Sequence, residues 1–125
     1  MRNIIPWKYK VIDSILQVVE FQSRYPSSGE NRPIDVRVAK YLVQFASERI
    51  DAKAEPPVVI LLQDGGIGLR WELVDTTVSV WSSKVGRVEA TIANKDFVVS
   101  KGDINEVLLR ANKIITALEK ELQVV

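Results

Sequence analysis

The sequence contains neither cysteine nor histidine. Without cysteine there is no disulfide framework, no thiol nucleophile and no zinc–thiolate site. Without histidine the commonest general base and the commonest metal ligand are both missing. An excess of one charge sign is lacking as well, with 17 basic and 16 acidic residues giving a net charge of +1. Sequence-independent nucleic-acid binding needs a concentrated positive field, so no nucleic-acid partner is expected. No apolar run is long enough to span a bilayer, and the opening MRNIIPWKYK has no signal-peptide core. The expectation is a cytoplasmic protein of bacterial type, with no membrane partner. Internal repeats and low-complexity segments are also absent.

What is present fits one domain covering residues 1–125, with apolar residues at 46% and charged residues at 26%. That is long enough to form a core without covalent staples. The chain is organised around Val58 to Trp81. Asp64-Gly65-Gly66 separates two β-type runs, and an Asp-Gly between apolar runs is a strong hairpin signal because glycine takes positive φ cheaply. Beyond it, Ile67, Leu69, Trp71 and Leu73 alternate with Gly68, Arg70 and Glu72, which marks a strand with one buried face. Val58 to Gln63 is apolar on both faces and reads as a central strand or one covered on both sides. Thr76 to Trp81 and Arg87 to Ile92 continue the meander, and Phe97 to Ser100 is a candidate fifth strand. Outward residues such as Arg70 and Glu89 are positioned by pattern to pair across strands.

Helices are read at both ends and before the sheet. Pro6 to Ser23 carries Ile12, Ile15, Leu16 and Val19 as its stripe, with Val11, Val18 and Phe21 widening it. Such a helix is either gripped on two sides by its own core or meets a partner, and a strand over Lys8 to Ile12 stays open because β-branched residues are frequent there. Asp35 is a suitable N-cap for a helix with Ala39, Leu42, Val43, Ala46 and Ile50 inward, ending before Pro56-Pro57. Asp103 and Glu106 open a last helix, Ile104 to Leu122, with one long apolar face. The segment Tyr25 to Pro33 is the longest irregular stretch, either a plain connector or a functional loop. Together these give an α+β fold: a two-layer sandwich, an antiparallel four- to five-stranded meander with the N- and C-terminal helices on one face.

Chemistry is sparse. Asp64-Gly65-Gly66 joins strand to strand, whereas a phosphate loop feeds a helix N-terminus, so it reads as a structural turn. Asp64, Glu72, Asp75 and Glu89 have no metal-ligand spacing. Ser27-Ser28 has no histidine to activate it. The reading is therefore a non-enzyme with no catalytic residues, no metal and no cofactor. The aromatics are more informative. Trp71 has the parity of the core face, while Trp81 has that of the polar face and faces outward, either under a cover from elsewhere in the chain or toward a partner. Tyr25, Tyr41 and Phe45 join Trp71 as candidate lining for a small-molecule pocket between sheet and helices, and with Trp81 they form the candidate binding surface. Apolar residues beyond one stripe on the first helix, together with Leu109 on the last, predict a homodimer that uses the first helix, the last helix or the Trp81 face.

From Arg24 onward the pattern also resembles a group of small uncharacterised bacterial proteins. In those a Trp-Asp-x-Tyr-Gly-Ala-like loop leads through a proline into a helix, followed by a proline pair, a strand and Asp-Gly-Gly-Ile-x-Leu-Glu-Trp. Here the corresponding residues are the loop Arg24 to Pro33, the helix from Asp35, Pro56-Pro57 and Asp64 to Trp71. The loop's Trp-Asp pair is absent, and Arg70 stands where glutamate is usual. The resemblance implies a context, an accessory gene in a mobile or toxin–antitoxin setting, and no activity; within that context the most specific form of the protein-binding reading is an antitoxin-like or regulatory role. It implies no catalytic residue.

Overall fold

The computed structural model describes residues 5–25, 32–94, 98–100 and 103–123. In chain order the elements are α1 (Trp7–Arg24), α2 (Val36–Ser47), β1 (Val58–Leu61), β2 (Ile67–Glu72), β3 (Thr76–Lys84), β4 (Arg87–Asn94), β5 (Val98–Ser100) and α3 (Ile104–Gln123). The strands form one sheet in the order β1-β2-β3-β4-β5, every pair antiparallel. The fold is the α+β two-layer sandwich expected from the alternation. Side chains of all three helices meet one face of the sheet in a single core.

The register shows how alternation builds that face. Leu69 lies opposite Val80, which lies opposite Ala90; Trp71, Val78 and Ile92 make the next row. All six are buried. The other parity, Arg70, Glu72, Thr77, Ser79, Trp81, Glu89 and Thr91, forms the open face. Two expectations about the sheet change. The run from Val58 is an edge strand rather than a central one: Val58 and Ile60 lie over Arg70 and Gly68 on the open side, while Val59 and Leu61 turn toward the helices. Its two-sided apolarity reflects a half-exposed edge, with Val58 52% exposed. Arg70 also does not pair with Glu89. It opposes Ser79 and its Nε, shielded from solvent, sits 3.0 Å from Glu72 on its own strand without hydrogen-bond geometry. The fifth strand forms over Val98–Ser100 and pairs with β4. Phe97 lies outside the described residues.

The turn at Asp64-Gly65-Gly66 is a junction as well as a hairpin. Gly65 has φ +92°, and a Cβ on it would stand 2.8 Å from Pro33 O. Its carbonyl accepts from Asp35 N at 2.8 Å, while Arg32 N donates to Gln63 O at 3.0 Å. Gly66 lies against the end of β3, where a Cβ would come within 2.4 Å of Ser82 O. The turn thus fixes the segment that leads into α2, and Asp35 then caps that helix by accepting from Arg37 N and Val38 N. The α2 stripe is as expected, with Ala39, Leu42, Val43, Ala46 and Ile50 all buried. On α3, Val107, Leu108, Ala111 and Ile115 are buried, and Asp103 accepts from Asn105 N and Glu106 N.

Lys8 to Ile12 is helical, as part of α1. The buried stripe of α1 is Trp7, Val11 and Ile15, with Val18 and Val19 packed at the margin. Ile12 and Leu16, read from spacing as core, are exposed instead. The physical reason is Trp7. Its ring meets Trp71 edge-on at 5.3 Å and 87°, and the largest side chain of the first turn sets which face of the helix turns inward. Among the described residues, no helix is long and apolar enough to cross a membrane.

Candidate functional site

Turning Trp7, Val11 and Ile15 inward leaves α1 with a second apolar stripe. Tyr9, Ile12 and Leu16 follow at spacings of three and four residues, the seam of a helix that packs against another helix, and exposed Ile5 lies just ahead of the N-cap Pro6. Tyr9 is 54% exposed, Ile12 40% and Leu16 60%. On α2, Val36 is 55% exposed and faces the same side. Between the two helices lies a groove of about 620 Å³, with Ile12, Ile15, Leu16, Ala39 and Val43 in its walls and Lys8, Lys40 and Glu48 at its polar rim.

The two helices that form the groove run antiparallel in a fixed register. Trp7 N donates to Ala52 O at 3.1 Å at one end. At the other, Ile34 N donates to Gln22 Oε1 at 2.9 Å. Several charges near these helices are engaged within the chain. Glu20 pairs with Arg24 at 2.8 Å, Glu48 with Arg49 at 3.5 Å, and Lys8 Nζ lies 5.1 Å from the Tyr9 ring centroid. A second cleft of about 610 Å³ separates α2 from the β3–β4 hairpin. Its lining is more polar and includes Arg37, Lys40, Tyr41 and Lys84.

The five aromatics singled out from sequence fall into separate groups. Trp71 is 2% exposed, and its Nε1 donates to Glu55 O at 2.7 Å, so it belongs to the core. Tyr41 and Phe45 stack at 6.1 Å on α2, with the Arg49 guanidinium 3.6 Å from the Phe45 ring centroid. Tyr25 lies at the end of α1 against Phe21, at 5.0 Å. Trp81 is on the open sheet face, half-buried between Gly68 and Glu89, and its Nε1 donates to Glu89 Oε2 at 2.9 Å. Only Tyr41 and Phe45 touch each other, and Trp71 is joined to neither of them nor to Tyr25 in one cavity.

The carboxylates considered from sequence are likewise dispersed. Asp64 accepts from Gly66 N within its own turn, Glu72 lies beside Arg70, and Glu89 holds Trp81. Among the described residues no group of three acidic side chains comes together as a metal cage. Sequence reasoning had flagged an apolar excess on α1, but it missed which residues make the exposed stripe and missed Val36 altogether. The spacing of Tyr9, Ile12 and Leu16 was the available signal. Comparison with protein-family models, with curated proteins and with solved structures finds no match to this chain.

Proposed function

We propose that this chain is a non-enzymatic interaction protein that self-associates and binds a protein partner. The observation that supports this reading best is the second apolar stripe of α1 beside Val36. Monomers seldom leave a contiguous apolar patch of this kind in water, and pairing with another protein surface is the usual way to cover it. The open sheet face, with the Trp81 indole donating to Glu89, offers a separate surface of the kind enriched at contacts. A regulatory, antitoxin-like role in the cytoplasm, as a bacterial accessory or mobile-element gene product, is the most specific form of the proposal. It rests on the sequence resemblance alone.

Light scattering over a dilution series tests the self-association. The expected result is a mass above one chain that falls on dilution. One chain's mass at every concentration refutes it. A second reading, a module that binds a small apolar molecule, has one favouring observation: the volume of the α1/α2 groove lies in the range of ligand sites. Under that reading, an apolar fluorophore binds the monomer, and Leu16→Glu abolishes its signal.

A further inference from the structure

We propose that the cleft between α2 and the β3–β4 hairpin binds a small organic phosphate, a dianionic phosphate monoester that carries an apolar ring. This cleft is separate from the α1/α2 groove, and the proposal does not depend on self-association.

The cleft gathers cations from two elements. Lys40, Tyr41 and Gln44 follow Arg37 by three, four and seven residues, so all four share one side of α2. Ser83, Lys84 and Val85 at the end of β3 form the facing wall, and the volume of about 610 Å³ is in the range of small-molecule sites. Asp35 is the one carboxylate in the lining, and it is already engaged as the cap of α2. Its Oδ1 accepts from Arg37 N at 3.0 Å and from Val38 N at 3.5 Å. Its contact with Arg37 Nε is long, at 3.7 Å, and leaves that side chain 87% exposed. Lys40 and Lys84 have no ion-pair partner among the described residues. Three cations against one carboxylate leave the cleft two positive charges in surplus, in a chain whose net charge is only +1.

A dianion matches that surplus. It also relieves a repulsion, because Lys84 stands opposite exposed Arg87 in the β3–β4 register, and like charges directly opposite are destabilising. The spacing of the two walls is set by the central turn. Gly65 O holds Asp35 N at the start of α2, Gly66 lies against Ser82 and Ser83, and the Ser82 hydroxyl lies within 2.8 Å of both Lys84 O and Arg87 O. Cations carried on fixed backbone lose less freedom when a ligand arrives. The ring has a place as well. Tyr41, stacked on Phe45 at 6.1 Å, and half-exposed Val85 supply apolar surface beside the lysines. Two terms oppose binding: the lysine tails lose rotamer freedom, and the cleft is open to water and salt. The affinity is therefore weak and falls with ionic strength.

The test follows the backbone amides of the whole chain by heteronuclear NMR as phenyl phosphate is added. Saturable shifts are expected at Lys40, Tyr41, Ser83 and Lys84. Inorganic phosphate, which lacks the ring, and phenyl sulfate, which keeps the ring but has one charge, are each expected to bind several-fold more weakly. Lowering the pH through about 6, where a phosphate monoester takes up its second proton, is expected to bring phenyl phosphate down to the level of phenyl sulfate. Lys40→Glu and Lys84→Glu are each expected to weaken phenyl phosphate by roughly tenfold. Lys113→Glu, at an exposed site on α3, is expected to leave it unchanged. Tyr41→Ala is expected to weaken phenyl phosphate but not inorganic phosphate. The absence of saturable shifts at the cleft, or equal losses in Lys84→Glu and Lys113→Glu, overturns the site. Phenyl sulfate binding as well as phenyl phosphate overturns the need for a dianion. Phthalate, an aromatic dicarboxylate, binding more tightly than phenyl phosphate overturns the assignment to phosphate. These ligand comparisons use the unaltered chain, so they decide the matter even where a variant fails to fold.

Discussion

A methyl group added at Gly66 probes how the central turn is built. The Cβ of Gly66→Ala would stand 2.4 Å from Ser82 O and 2.6 Å from Ser83 Cα, against the 3.4 Å at which ordinary contact begins. Both neighbours are backbone, so no side chain can rotate away. Relief requires the end of β3 to retreat by about 1 Å, and that end is held: the buried Ser82 hydroxyl lies 2.7 Å from Lys84 O and 2.8 Å from Arg87 O. Overpacking of this kind costs about 1–3 kcal/mol, and the rigid neighbours place Gly66→Ala toward the upper end. Gly86→Ala separates sterics from backbone conformation. Gly86 has φ +85°, but nothing lies within 4 Å of its added Cβ, so only the left-handed conformation is penalised, at about 1–2 kcal/mol. Gly65→Ala combines both effects, with φ +92° and Pro33 O at 2.8 Å, and should be the worst of the three. Urea unfolding followed by circular dichroism gives the order. Gly66→Ala within about 0.5 kcal/mol of the original chain, or less harmful than Gly86→Ala, would refute the close approach of the turn to β3.

The tryptophans give three further expectations, and the α2 cap a fourth. Trp71→Ala should cost about 3–5 kcal/mol, because it empties a core site and leaves Glu55 O without its indole donor. Trp81→Ala, at a half-buried site, should cost well under half of that, and the reverse order in denaturant melts would put the face assignment of β2 and β3 in error. Trp7 Nε1 is buried with no hydrogen-bond partner among the described residues, whereas Trp71 Nε1 has one. Trp7→Phe should therefore be milder than Trp71→Phe by about 1 kcal/mol, read as a difference in thermal midpoints. Asp35→Ala removes the acceptor for Arg37 N and Val38 N and should cost about 1 kcal/mol, with Asp35→Asn recovering most of it; equal losses would assign the effect to charge rather than to capping.

The sheet was legible because its signal is binary. Trp71 stands between Arg70 and Glu72 and Val78 between Thr77 and Ser79, and the parity they set assigns the face of Ile67, Leu69 and Val80 as well. The α2 stripe and its Asp35 cap were legible for the same reason, since one side of that helix is apolar and the other charged. Strand position within the sheet carried no such signal. Val58 to Leu61 has no polar residue to mark its open side, so an edge strand and a central one look alike in sequence. The long reach of the turn was also invisible. Nothing in Asp64-Gly65-Gly66 shows that Pro33 and Ser82 close in on its two glycines.

The candidate site was only half legible, and the cause lies in α1 itself. Trp7, Val11, Ile15 and Val18 make one acceptable helical stripe; Tyr9, Ile12, Leu16 and Val19 make another. Either could serve as the core face by spacing, and Ile12 with Leu16 is the more apolar choice. What decides is a contact far away in sequence, the edge-on packing of Trp7 against Trp71. A single buried tryptophan contact contributes more than the difference between two aliphatic stripes, so it rotates the helix and sends Ile12 and Leu16 outward. The exposed seam is therefore a consequence of how the core closes. If Trp7 sets the rotation, shrinking it should release the seam: Trp7→Ala should let Ile12 and Leu16 roll toward the sheet, lowering self-association by more than its loss of stability explains. Measuring dimer affinity under conditions where Trp7→Ala and Ile15→Ala are both folded makes the comparison. Ile15→Ala destabilises the same stripe but keeps the anchor, so equal effects on affinity would show that Trp7 does not control the face that α1 presents.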